Sequence, residues 1–404
     1  MTSEPARGKI LTSASAPFLV GLFLVALNLR PAIASVSPVL ETIRQDLGLG
    51  RALLGLLTTI PVLCMSVFAL VAPRIAGRIG AERAVLWSVI LIGTAVAGRL
   101  AAGQPGVLFV TTLVAGVGIA LAQSLLPAIV KGWFPDRAAL VTGLYTVGMM
   151  SGLALSALAT VPIEQTLGGF WPGALAAWAL LAAVATAFWL PLTWRAHSAT
   201  RPEGAHRRAS LPWRSGRAWS VALFFGAESC IFFSSLTWIA PLYVDHGLDE
   251  GQAGLLFTVF ALVRIPSAFL FPALADRSGD RRPWLALTLI FTAFGLCALG
   301  LAPLATLWAP WAWMIVLGLG AGGLFPLALT LPLDYSADAD EAGRLIAMTF
   351  FVGYIVAAVG PVAVGALRDA TGGYAVPFVM LAALSVGMLA ASLRFRPQPN
   401  SRLG

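Results

Sequence analysis

Apolar runs of about 20 residues recur along almost the whole chain, and short gaps between them hold nearly all of the charge. A run of that length crosses the roughly 30 Å hydrocarbon core of a bilayer as one α-helix. Twelve can be placed, at residues 17–40, 52–73, 84–102, 107–130, 138–161, 170–192, 218–244, 251–275, 284–304, 309–332, 345–367 and 374–393. Gly and Pro fall freely inside them, as spanning helices tolerate when neighbours re-satisfy the backbone. Thr193–Arg217 is the one long polar segment. It divides the chain into residues 1–192, a linker of 193–217, and residues 218–404, with six predicted spans on either side. The expected fold is all-α and membrane-embedded, built as two six-helix bundles.

Composition agrees: 58% of residues are hydrophobic and 11% charged, against about 25% charged in soluble domains. Met1–Ala16 is polar, and the run after it is too long for a signal-peptide core and lacks a convincing cleavage site, so it is expected to be retained as span 1. The net charge of +8 does not mark a nucleic-acid partner, because the basic residues fall on alternate loops rather than on one patch. One side holds Arg7, Lys9, Arg74, Arg78, Arg83, Lys131, Arg137, Arg195, Arg201, Arg207, Arg208, Arg214, Arg217, Arg277, Arg281, Arg282, Arg344, Arg394, Arg396 and Arg402. The loops of the other side hold Arg44, Arg51 and Arg368. The positive-inside rule then puts both termini in the cytoplasm, and an odd number of spans would destroy the asymmetry.

The two halves repeat at an offset of about 200 residues. Pro73-Arg-Ile-Ala-Gly-Arg78-Ile-Gly80 follows span 2, and Pro272-Ala-Leu-Ala-Asp-Arg277-Ser-Gly279 follows span 8. Gly116-Val-Gly118 in span 4 answers to Gly318-Leu-Gly320 in span 10. Parallel six-span repeats are a transporter architecture, with the solute site near mid-membrane between the halves.

On these residues the chain resembles the major facilitator superfamily. The family loop Gly-x-Leu-Ala-Asp-Arg-x-Gly-Arg-Arg is matched by Leu274-Ala275-Asp276-Arg277-Ser278-Gly279-Asp280-Arg281-Arg282, with Pro272 in place of the first Gly. The first half has Gly77 at the Asp position, so the resemblance implies a gating role for Asp276 and Arg277 alone. Within the superfamily, Asn28-Leu29-Arg30-Pro31-Ala32, Leu126-Pro127 with Phe134-Pro135, and Gly143-Leu144-Tyr145-Thr146 resemble the cyanate/2-nitroimidazole porter branch. That resemblance implies a small anionic or polar solute, and spans 1 and 7 lining a central cavity.

Candidate site residues follow from cost. A charge held at mid-membrane is expensive enough that function is its default explanation. Arg30 lies 13 residues after Pro17, Glu228 lies 11 after Arg217, and Arg264 lies 12 before Asp276. At 1.5 Å per residue all three sit roughly 16–20 Å from one side. Pro31 deprives the carbonyl of Leu27 of its helical donor, which predicts a kinked polar patch with Asn28 beside Arg30. A guanidinium fork with a neutral amide suits a small planar or linear anion.

Two arginines face one carboxylate at this level, so an Arg–Glu pair leaves one cation for water or an anion to compensate. Glu228 has two roles open to it: partner of an arginine, which favours its ionised form, or carrier of a coupled proton, which burial favours. A purely structural ion network is the competing reading of the three. Gln123 and Tyr145 are further candidates to line the cavity, against simple interhelical hydrogen bonding. Arg99, near the outer end of span 3, is expected to snorkel. Trp308, Trp311 and Trp313 read as an interface belt, and Asp334–Glu341 as a solvated acidic face.

Cys64, Cys230 and Cys297 lie in apolar runs, and His197, His206 and His246 in loops, so neither disulfide, metal nor cofactor is expected. There is no Walker-type phosphate loop or nucleophile motif, which argues against an enzyme or an ATP-driven pump. The reading is a monomeric inner-membrane secondary transporter for a cyanate-like anion, with a proton as a possible coupled ion. Export of small heteroaromatic or drug-like compounds is the alternative, although Gly148 and Gly152 lack the Pro of the antiporter pattern Gly-Pro-x-x-Gly-Gly. A non-transporting sensor is the alternative outside that class; Thr193–Arg217 is short for an added sensing domain.

Overall fold

The computed structural model describes residues 16–134, 137–195, 211–336 and 339–393. Arg7, Lys9, Arg201, Arg207, Arg208, Arg394, Arg396, Arg402, Pro135, His197, His206, most of the linker and part of the acidic stretch 334–341 lie outside the described residues. Twelve helical spans are long and apolar enough to cross a membrane: Ala16–Leu47, Arg51–Ile79, Ala81–Ala101, Pro105–Trp133, Leu140–Thr166, Trp171–Trp194, Gly216–Asp245, Glu250–Ser278, Arg282–Leu301, Ala309–Pro332, Glu341–Thr371 and Ala375–Ser392. We number them spans 1 to 12. There is no strand among the described residues.

The packing has the expected symmetry. In the first half span 1 packs on span 5, span 2 on span 4, span 3 on spans 4 and 6. In the second, span 7 packs on span 11, span 8 on span 10, span 9 on spans 10 and 12. Adding six to each number maps the first set onto the second. The halves meet through spans 2 and 11 and through spans 5 and 8, pairs that the same operation exchanges. Span 7 is central: 94% of its most apolar stretch is enclosed by protein, against 39% for spans 6 and 12.

Span 1 departs from a simple kink. The expected bend at Pro31 is a complete break, with helix over Ala16–Asn28, a turn at Leu29–Arg30, a single helical turn Pro31–Ala34, then Ser37–Val39 and Leu40–Leu47. Gly152 of span 5 packs directly against the carbonyl oxygen of Leu27, the group that Pro31 leaves without a helical donor. A side chain there would collide with it.

At the end of the bundle opposite Ala16, an ionic clasp joins the halves. Arg51 reaches Glu41 (3.4 Å), Asp245 (3.6 Å) and Asp369 (3.8 Å), and Arg368 pairs with Asp245 at 2.7 Å. Thr42 donates to Glu250, and the Ser37 hydroxyl to the Thr237 carbonyl at 3.0 Å. Arg44 pairs with Glu41 at 2.7 Å, so all three arginines of the charge-poor loops are held in ion pairs. At the other end Asp276 and Arg277 are exposed, and Asp276 pairs within its own half with Arg281 at 3.6 Å. The structure is thus closed at the end opposite Ala16.

Candidate solute site

Span 7 builds the site. Glu228 and Phe232 are one helical turn apart and share a face, and span 7 is so enclosed that this face meets span 1 on one side and span 8 on the other. Arg30 enters from the break in span 1 and Arg264 from span 8. Both guanidiniums lie over the same ring: Arg264 is 4.2 Å and Arg30 is 5.6 Å from the centroid of Phe232. Phe233 adds a second ring to Arg30 at 5.9 Å, and Phe260 one to Arg264 at 5.4 Å.

The charges are as deep as their positions in the sequence imply. Arg30 is 3% exposed, Arg264 2% and Glu228 1%. Glu228 accepts a hydrogen bond from Ser229 at 3.0 Å. It is close enough to both arginines to feel their charge, yet among the described residues neither makes an ion pair with it. Nε and Nη1 of each arginine are buried without a hydrogen-bond partner, and so is Nδ2 of Asn28.

Magnitudes decide what this means. A desolvated cation–π contact contributes about 2 kcal/mol, whereas an unpaired buried ion costs several kcal/mol even after relaxation. The rings therefore orient the guanidiniums without compensating them. Four donor nitrogens on two cations are left unfilled, as is the amide nitrogen of Asn28, a donor set whose chemistry suits an anion.

The remaining candidates divide. Gln123 of span 4 donates to the Tyr354 hydroxyl of span 11 at 2.9 Å, leaving its own Oε1 unpartnered. Tyr145 is half-buried and lies near Tyr354. Both thus belong to the layer around the arginines, whereas Asp276 and Arg277 lie at the far end of span 8. Tyr354, Phe232 and Phe233 escaped the sequence reading. An aromatic in a membrane helix looks like any lipid-facing side chain, and only the four-residue step from Glu228 to Phe232 carried a signal.

A model described as Major Facilitator Superfamily matches residues 18–249 and 223–403. The chain is 34% identical over 382 residues to the cyanate transport protein of Escherichia coli (strain K12), covering 94% of this chain and 97% of that one. It is 33% identical over 374 residues to the 2-nitroimidazole transporter of the same organism, covering 92% and 93%. A D-xylose–proton symporter crystal structure superposes with a TM-score of 0.76 at 14% identity, covering 96% of this chain and 99% of that one; this likeness concerns the fold alone.

Proposed function

The chain belongs to the Major Facilitator Superfamily and is a multi-pass secondary transporter, and from that premise we propose that it carries a small cyanate-like anion across the bacterial inner membrane. The observation behind this reading is the pair of buried guanidiniums on Phe232 with four unfilled donor nitrogens. Similarity to a cyanate transport protein over nearly the whole chain supports the same solute class. Arg30 and Arg264 bind the negative charge and Asn28 orients the solute. Gln123 and Tyr145 line the path.

Both termini face the cytoplasm, as the loop arginines indicate. Transport proceeds by rocking the bundle of residues 1–192 against that of 218–404, joined by the cytoplasmic linker 193–217. The ionic clasp of Arg51, Asp245, Asp369 and Arg368 then lies on the outer side, and the carrier opens inward. Asp276 and Arg277 take part in closing the inner end when the outer one opens.

The test is uptake of labelled cyanate into proteoliposomes, with and without an inward proton gradient and with Arg30→Ala as control. Uptake that requires Arg30 supports anion import; none under either condition discards cyanate. A second solute class is favoured by one feature. Phe232, Phe233 and Tyr354 crowd the arginines, and aromatic faces suit a planar heteroaromatic such as the 2-nitroimidazole of the second relative.

Glu228 is the proposed carrier of the coupled proton, because it lies beside both arginines without pairing to either. Glu228→Gln keeps the hydrogen bond from Ser229 within reach but cannot exchange a proton. It is expected to retain solute exchange while losing at least ~90% of the stimulation by a proton gradient, the pattern for a group needed in coupling rather than binding. Wild-type stimulation in this variant would assign Glu228 to the site's charge balance alone.

A further inference from the structure

Arg99 does not snorkel. It is 1% exposed, at the start of the short turn Arg99–Ala101 that ends span 3. Among the described residues no carboxylate pairs with it, and Nε and Nη1 have no hydrogen-bond partner. Its one bond runs from Nη2 to the carbonyl oxygen of Ala32, at 2.8 Å.

That carbonyl is special. The turn Pro31–Ala34 is capped at its start by Arg30, whose carbonyl accepts from Ile33 N–H (3.0 Å) and Ala34 N–H (2.9 Å). Beyond it Ser35 N–H donates to Pro31 O at 3.0 Å and Val36 N–H to Ile33 O at 3.3 Å. The ladder steps over Ala32, because the break at Ser35–Val36 has tightened the register. Ala32 is 3% exposed, and a buried carbonyl left unfilled costs about 1–3 kcal/mol. The guanidinium supplies the missing donor from a neighbouring helix.

We propose that Arg99 is a positioning residue for transport: by anchoring Ala32 it fixes the one-turn segment Pro31–Ala34, and with it the direction in which Arg30 presents its fork. The inference rests on Arg30 belonging to the solute site. Hydrogen bonding explains the residue type better than charge does, because only a long side chain with an always-available donor spans from span 3 to span 1. Arg99 touches no solute. Its effect is carried wholly through two residues of backbone.

The test separates anchoring from solute chemistry. Amide exchange followed by mass spectrometry on the purified full-length protein reads the segment Leu29–Val36 with no solute present. Arg99→Leu is expected to speed exchange there at least ~10-fold, while spans 7 to 12 exchange as in wild type. Arg99→Lys keeps a donor of nearly the same reach and is expected to restore both slow exchange and cyanate KM to within about 3-fold of wild type. For Arg99→Leu the KM should rise about 10-fold or more with kcat changed far less, as loss of uniform binding requires. Arg99→Met, which retains the packing of the stem, serves as companion variant.

Wild-type exchange over Leu29–Val36 in Arg99→Leu overturns the anchor. Recovery of cyanate KM in Arg99→Lys while exchange over Leu29–Val36 stays fast overturns the hydrogen-bond account in favour of charge. If Leu and Met variants both fail to fold, Arg99 serves the fold as a whole and the positioning role falls. If cyanate is not the solute, the exchange result stands by itself, so the two ideas fail separately.

Discussion

Replacing Arg30 with alanine is expected to reduce cyanate uptake to the level of empty vesicles, while yield and thermal stability stay near wild type. The asymmetry comes from what the guanidinium touches. Its buried nitrogens have no protein partner, so truncation orphans no neighbour. It removes a buried, uncompensated cation and loses only ring contacts with Phe232 and Phe233. The solute, by contrast, loses two hydrogen bonds to a charged donor at about 1.5–3 kcal/mol each, or at least ~100-fold in affinity at 1.4 kcal/mol per factor of ten. Arg30→Lys keeps the charge without the fork and should fall between, about 10-fold weaker than wild type. Direct binding and melting measurements on the purified variants check this. Loss of folding in Arg30→Ala would instead mark the arginines as a structural network.

Gly55→Val is expected to trap the carrier open to the outside, with transport falling at least ~10-fold. Span 2 crosses span 11 here with no room for a side chain. A Cβ on Gly55 would stand 2.5 Å from the Pro361 carbonyl oxygen, 2.7 Å from its carbon and 2.8 Å from the Val362 Cα. These are backbone atoms, so no rotamer change relieves the collision. Overpacking costs about 1–3 kcal/mol, and 2 kcal/mol moves a two-state equilibrium about 30-fold. The state closed at the Arg51 end bears this penalty, because it presses Gly55 against the Pro361 backbone; in the proposed orientation that end is the outer one. Thr58→Cys, one turn deeper and buried against Thr237, reports on the change in a background with the three native cysteines replaced. Its reaction with an impermeant thiol reagent added outside should accelerate in Gly55→Val. Unchanged reactivity with normal uptake would refute the gate.

Much of this was readable because membranes make rare residues conspicuous. Twelve spans follow from run length. Arg30, Glu228 and Arg264 stood out because three charges in long apolar runs demand a reason, and they do converge on one layer. What stayed hidden shares a cause. In a soluble helix the apolar stripe names the buried face; here both faces are apolar, and the sequence does not say which side meets lipid. Arg99 therefore looked like an interfacial residue although it points inward to Ala32, and Phe232 and Tyr354 did not stand out at all. The break in span 1 exceeded expectation for another reason. Pro31 removes one donor, but the opening at Leu29–Arg30 also needs Gly152 to bring span 5 against the Leu27 carbonyl, a tertiary partner more than 100 residues away.

The shared ring of Phe232 has a kinetic consequence. Two like charges held against one ring repel, and an empty carrier must bring that repulsion through the state in which both ends are shut. A bound anion discharges it. If the solute is the anion proposed above, the loaded carrier is expected to turn over more readily than the empty one, with the return journey without cargo as the slow step of net movement. Anion supplied on the far side removes that journey, so one-for-one swapping of solute outruns accumulation from a standing start.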